Sequence, residues 1–146
     1  MGKQSVFDSN SSAVQAHLTI TQSIIQRMAS NSTSCKAWCI TLVSAVLVIV
    51  ADKGHPNLAL IAFIPTTLFL ILDAYYLALE RCFRKSYNSF IDSLKRGSVS
   101  AEDVYAVDPL GFSVKEVVKA LGSFSVWPFY SMLAVMILIT KLVVMT

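Results

Sequence analysis

Charge is what this chain has least of: 14% of its 146 residues are Asp, Glu, Lys or Arg, against 55% that are apolar. Soluble domains carry nearer a quarter charged residues, so the shortage argues against a water-soluble globule and for an integral membrane protein. Histidine is almost as scarce. His17 and His55 are the only two, and they fall in segments read below as opposite sides of a membrane, where they cannot share a metal or a catalytic dyad. No GxSxG elbow and no glycine-rich phosphate loop occurs, which removes familiar signs of acyl transfer and nucleotide hydrolysis. The expectation is a protein that is not an enzyme, with no catalytic residue, no cofactor and no metal. Cys35, Cys39 and Cys82 are odd in number and contain no CxxC pair. Cys35 and Cys39, one helical turn apart, could seat two ligands, but no second pair follows, so all three read as inert thiols. A secretory signal is also lacking, because the first apolar run begins only near Ala37, behind a polar amphipathic segment.

What the chain does have is three apolar runs and one long stretch that leaves the last turn-forming residues, 52–56, and runs on to Leu94. Leu58 to Leu72 holds no charge; Asp73, Glu80, Arg81, Arg84 and Lys85 then follow without a helix breaker. That pattern predicts a membrane-spanning helix that continues into the cytosol, about 57 Å long at 1.5 Å per residue and so well beyond a hydrocarbon core of roughly 30 Å. Phe69, Tyr76, Phe83 and Phe90, spaced by seven, make a stripe that runs from lipid depth into water. Upstream, Val14, His17, Leu18, Thr21, Ile24, Ile25 and Met28 share one helical face, which predicts a partner rod for that stripe in preference to a helix lying among the headgroups. Residues 29–34 form a turn or a continuous small-residue passage. The first span is short, about 15 residues from Ala37, and draws on residues from Ser32 onward to cross. Pro65 predicts a kink or a freed carbonyl near Ile61.

The fold class is therefore all-α membrane protein: a transmembrane helical hairpin with cytosolic helical extensions, plus a third, C-terminal transmembrane helix. The divisions are a flexible tail over 1–12, the amphipathic helix and hairpin with its stalk over 13–94, a small cytosolic helical segment over 95–123, and the last span over 124–146. In the small segment Ser98 or Ser100 caps a short turn, and Ser113 with Glu116 makes a capping box that opens a helix ending at Gly122. Trp127, Pro128, Phe129 and Tyr130 give the last span an aromatic entry suited to a membrane interface. Ten of the 12 Lys and Arg lie in segments of one side, the hairpin turn having only Lys53. The positive-inside bias then puts the N-terminus in the cytosol and the C-terminus outside.

An antiparallel hairpin about Gly54 places residues whose numbers sum to about 108 at one depth, since both helices rise equally per residue. Asp73 is then level with Cys35 and Lys36, which predicts it near Lys36 or the Ser32 and Ser34 hydroxyls, and Glu80 is level with Met28 and Arg27, which predicts it near Arg27. Two acidic groups meet two basic ones, and a carboxylate at the membrane edge requires such a partner. Arg27, Lys36, Asp73 and Glu80 are the candidate structural and gating residues. Arg81, Arg84 and Lys85, just beneath a span, are candidates for contact with lipid headgroups in preference to nucleic acid.

Two blocks carry a resemblance. The first is His17, Leu18, Gln22 to Ser32, then Lys36, Ala37, Trp38, Thr41, Leu42 and Val43; the second is Leu72 to Leu77, Glu80, Arg81, Phe83, Arg84 and Lys85. Together they resemble the SLATT class of small bacterial membrane proteins, a two-helix hairpin with cytosolic extensions, over residues 13–94. The resemblance implies a membrane-attacking effector of bacterial conflict and antiphage systems, a homo-oligomer in membrane lipid that answers a cytosolic partner protein or a nucleotide signal. A third span at 124–146 departs from the two-span plan. A non-conducting scaffold or accessory subunit of a larger complex is the competing expectation. A transporter would want polar residues at mid-membrane, where the spans offer little beyond Thr41, Ser44, Thr66 and Thr67.

Overall fold

The computed structural model describes residues 11–145, and every regular element among them is a helix. Most of the proposed tail, residues 1–10, lies outside the described residues. Its last two residues begin the first helix: Ser11 is the N-cap, its hydroxyl accepting the Val14 N–H at 3.3 Å. From there α1 runs unbroken over Ser12–Lys53, roughly 63 Å. The small polar stretch 29–34 makes no turn. Its Thr33 hydroxyl donates to the Ala29 carbonyl at 3.2 Å, and Thr19, Thr21, Ser23 and Thr41 bond back by four in the same way. Hydroxyls satisfied within the helix no longer compete for its backbone. Buried positions recur every three or four residues from Val14 through His17, Thr21, Ile25, Met28, Ser32, Cys35, Cys39, Val43 and Leu47 to Val50, so one straight face is covered along the whole rod.

Gly54 ends α1 in the left-handed region (φ 65°), its N–H closing on the Val50 carbonyl at 3.1 Å, the cap for which a residue without Cβ is suited. The returning strand of the hairpin differs from the single helix expected over 57–94. It opens as a 3₁₀ segment, Pro56–Ala62, and becomes α2 over Phe63–Lys95. The reason is Pro65, which offers no N–H to Ile61. Ending the tight segment at Ala62 puts Pro65 in the first turn of α2, where no donor is missed, while the Phe63 N–H reaches the Leu60 and Ile61 carbonyls.

The contact face of α2 also departs from the aromatic stripe. Its buried residues are Thr66, Asp73, Ala74, Leu77, Ala78, Cys82 and Phe90; Phe69, Tyr76 and Phe83 flank that face half-buried. Helices in an apolar solvent gain from close backbone approach, which small residues permit and rings obstruct. Of the four aromatics only Phe90, far down the stalk, is buried, stacked on His17 with ring centroids 4.1 Å apart.

Two short helices follow, α3 (Ala101–Tyr105) and α4 (Val114–Leu121), and then α5 (Trp127–Met145). Ser100 and Asp103 form a reciprocal capping box at α3. At α4 the expected box is not made: the Ser113 side chain bonds to no N–H, and Glu116 turns to Lys119 at 2.7 Å and Lys85 at 3.5 Å. Two basic groups outcompete one backbone amide for the same carboxylate. α1, the 3₁₀–α2 rod and α5 are each long and apolar enough to cross a membrane. Two cores result. One, within the three apolar segments, includes Cys39, Val43, Leu47, Ala62, Ala74, Leu133 and Ile137; the other, at the foot of the stalk, is Val14, Phe90, Val99 and Val104.

Candidate functional site

The three apolar helices share one buried charge. Asp73 is completely buried on α2. The Ser32 hydroxyl donates a short hydrogen bond to its Oδ1, and its Oδ2, which receives no hydrogen bond of good geometry, sits 2.6 Å from Lys36 Nζ. Lys36 also touches Ser32 Oγ at 3.4 Å, so the serine contacts both ammonium and carboxylate. From the third helix Tyr130, itself buried, donates to the Phe69 carbonyl at 3.0 Å and lies close enough to Asp73 to feel its charge. Cys35 and Cys39 are buried on the same face of α1, with Cys39 Sγ 4.0 Å from the Pro65 carbonyl. The three thiols are free and buried, and no group of three His, Cys, Asp or Glu among the described residues is arranged to hold a metal.

The level of this cluster follows from lengths. From Lys36 to the end of α1, from the start of the 3₁₀ segment to Asp73, and along α5, each path rises roughly 26–30 Å, the thickness of a hydrocarbon core. Trp38, Tyr75 and Trp127, all exposed, lie within three residues of Lys36, Asp73 and Tyr130 on their helices, the usual place of an aromatic belt. Asp73 thus sits at one rim of the apolar slab. Below it the stalk continues to Lys95, with Gln22 Nε2 donating to Tyr87 Oη at 3.0 Å. A comparison of the chain with protein-family models, curated proteins and solved structures finds no match.

Of the four residues singled out for the hairpin, the fold brings Lys36 and Asp73 together and leaves the other two apart. Glu80 binds Arg84 at 2.7 Å along its own helix, and Arg27 is exposed. Equal depth did not suffice: at that level α1 turns Ile25 and Met28 toward α2, and Arg27, roughly 100° around the helix from Met28, points away. The basic run is likewise engaged within the chain. Arg81 Nη2 donates to Ser123 Oγ at 2.7 Å, Arg84 takes Glu80 and Lys85 takes Glu116, so two of the three fasten the segment before α5 to α2. Tyr130 had no sequence signal beyond its place in an aromatic entry, because its partners come from 61 residues away.

A second feature is a cavity of about 280 Å³ in the stalk, between the two long helices and the 102–110 segment, lined by His17, Ser86, Phe90, Glu102, Asp103 and Asp108 among others. The His17 ring bonds the Val104 carbonyl through Nδ1 at 3.0 Å. Three carboxylates and no Lys or Arg line the space, so its field repels the phosphates of a nucleotide. The Asp103 carboxyl is held below its ordinary range chiefly by the Ser100 N–H and then by the Ser100 hydroxyl.

Proposed function

We propose that this chain is an inner-membrane effector that assembles into homo-oligomers and permeabilises or depolarises the membrane when a cytosolic cue acts on its stalk, in the setting of antiphage defence. The single observation that carries the reading is the buried Lys36–Asp73 pair at the rim, shared by all three apolar helices through Ser32 and Tyr130. A charge at that depth is expensive and marks a functional position by default. A latch between two rods that extend tens of ångströms below is mechanically suited to report a push on the stalk. The carboxylate-lined cavity favours a partner protein over a nucleotide as the cue. The defence setting rests on the resemblance of residues 13–94 alone.

The second reading, a non-conducting scaffold or accessory subunit, is supported by the core between the three apolar helices. Beyond Asp73 the buried residues between the three helices are Cys39, Val43, Leu47, Val50, Ala62, Leu133 and Ile137, with Thr66 bonded to its own helix, which leaves a single copy no polar path. Conduction therefore requires several copies. Induced expression with a potential-sensitive dye separates the two. Collapse of the potential on cue, abolished or made constitutive by Asp73→Asn, is expected; an unchanged potential, with the chain verified in the membrane and a stoichiometric companion recovered, supports the scaffold.

A further inference from the structure

The segment before α5 exposes an apolar face that the stalk does not cover. Val114 and Val118, one turn apart on α4, are 79% and 60% exposed, and Phe124 beyond its end is 86% exposed. The opposite face is occupied: Ala120 is buried, with Val117 and Leu121 packed against the core that contains Leu77 and Ala78. Lys115 and Lys119 flank the exposed valines.

Both ends of α4 are tied at the rim. Ahead of it, the Phe112 ring meets the Tyr75 ring edge-on at 5.7 Å, two residues below Asp73. After it, Ser123 is held by Arg81, and the chain enters α5 at Trp127 within four residues. Side chains lean toward the N-terminus of their helix, so Arg81 and Lys85 reach upward from the stalk to meet Ser123 and Glu116. An eight-residue helix pinned so at both ends packs on α2 just below the level of Asp73.

We propose that α4 is an interfacial helix whose Val114 and Val118 face, with Phe124, is seated in the headgroup–acyl boundary of an anionic leaflet, Lys115 and Lys119 meeting the lipid phosphates. The inference rests on the membrane-spanning reading of α5 and deepens it. Lipid is the occupant that fits for three reasons. The exposed face is followed along the chain by exposed apolar residues of α5, Trp127, Met132 and Val135. Its flanking side chains are Lys115 and Lys119, the latter 69% exposed while holding Glu116 at 2.7 Å, and a positive flank is complementary to anionic headgroups. Its area, two valines and a phenylalanine, is far below the roughly 1,200 Å² that a specific protein interface buries. An amphipathic helix with apolar and lysine-bearing sides adjoining is the form that binds at this depth.

The test uses the full chain reconstituted in vesicles, with an environment-sensitive fluorophore on Val118→Cys, Val135→Cys or Lys95→Cys. The unsubstituted chain, whose cysteines are buried, is the blank. Quenching lipids carry a spin label near the headgroup or at the acyl-chain end. Position 118 is expected to be quenched best by the shallow label, 135 by the deep one, and 95 by neither; Lys115→Gln with Lys119→Gln lowers quenching at 118 in anionic vesicles to the zwitterionic level. Quenching at 135 but none at 118 overturns the proposal and leaves the spanning reading intact. No quenching at either overturns both. A blue-shifted, lipid-insensitive signal at 118 that grows with protein concentration also overturns it, in favour of a second copy on this face.

Discussion

Asp73 is the residue whose environment sets the others' roles. It is completely buried, whereas the Lys36 side chain keeps 21% of its surface, and that asymmetry makes the two halves of the pair unequal. Removing the ammonium strands a carboxylate that cannot reach water; removing the carboxylate leaves an ammonium that can snorkel outward. Lys36→Met should therefore destabilise the bundle by about 3 kcal/mol, toward the lower end for a broken buried pair because of the partial exposure. Asp73→Asn, which keeps an acceptor for Ser32, should cost about 1 kcal/mol. Reversible unfolding in mixed detergent would check the order, and equal losses would mean that the carboxylate is not the constrained partner. The pairing itself was legible from hairpin arithmetic, which also fits Gln22 with Tyr87 and His17 with Phe90. The partner of Glu80 was not, because depth fixes height along a helix and says nothing of direction around it.

Among the elements, the hairpin turn and α4 carry the sharpest expectations. Gly54 has open space where a Cβ would go but a φ of 65°, so Gly54→Ala meets no neighbour and loses only the backbone term, about 1 kcal/mol. Thermal unfolding followed by circular dichroism should show that shift, and a much larger one would reveal a contact at the turn. At α4 the Glu116 carboxyl is held below its ordinary value of 4.5, first by its hydrogen bond from Lys119 and also by the charges of Lys119 and Lys85. A depressed carboxyl contributes stability that is full above its unfolded value and is lost as pH falls through the folded one. Below pH about 4.5 the tie from α4 to Lys85 should weaken progressively, read as faster amide exchange at 114–121, and Glu116→Gln should flatten that dependence. The chemistry that draws Glu116 there was not visible beforehand: Ser113 and Glu116 have capping-box spacing, yet tertiary packing brings Lys85 within reach and the local bond is given up.

For the molecule as a whole, the three apolar helices and the stalk commit the chain to a topology that can be measured directly. With ten of its 12 basic residues on one side, Lys53→Cys should react with an impermeant thiol reagent added outside intact cells, and Lys95→Cys only after the membrane is opened. Labelling of position 53 from the cytosol would reverse the orientation and with it the assignment of the stalk. The two cores have different origins. The upper one lies between helices whose outer faces are apolar as well, and is held by close packing and the polar cluster; the lower one, Val14, Phe90, Val99 and Val104, excludes water in the ordinary way. Damage to one should therefore spare the other: Phe90→Ala should loosen the 98–110 segment while leaving the hairpin protected.

Helix content, the three apolar spans, the hairpin about Gly54 and the depth of Asp73 were all fixed by local sequence, because hydropathy and rise per residue act along one dimension and need no knowledge of neighbours. The face each helix turns inward, the choice of small residues over the aromatic stripe, the arrival of Tyr130 at Asp73 and the capture of Glu116 by Lys85 were decided only in three dimensions. Rotation about a helix axis and the approach of a third helix are settled by competition among partners distant in the chain, and no local pattern encodes which partner wins.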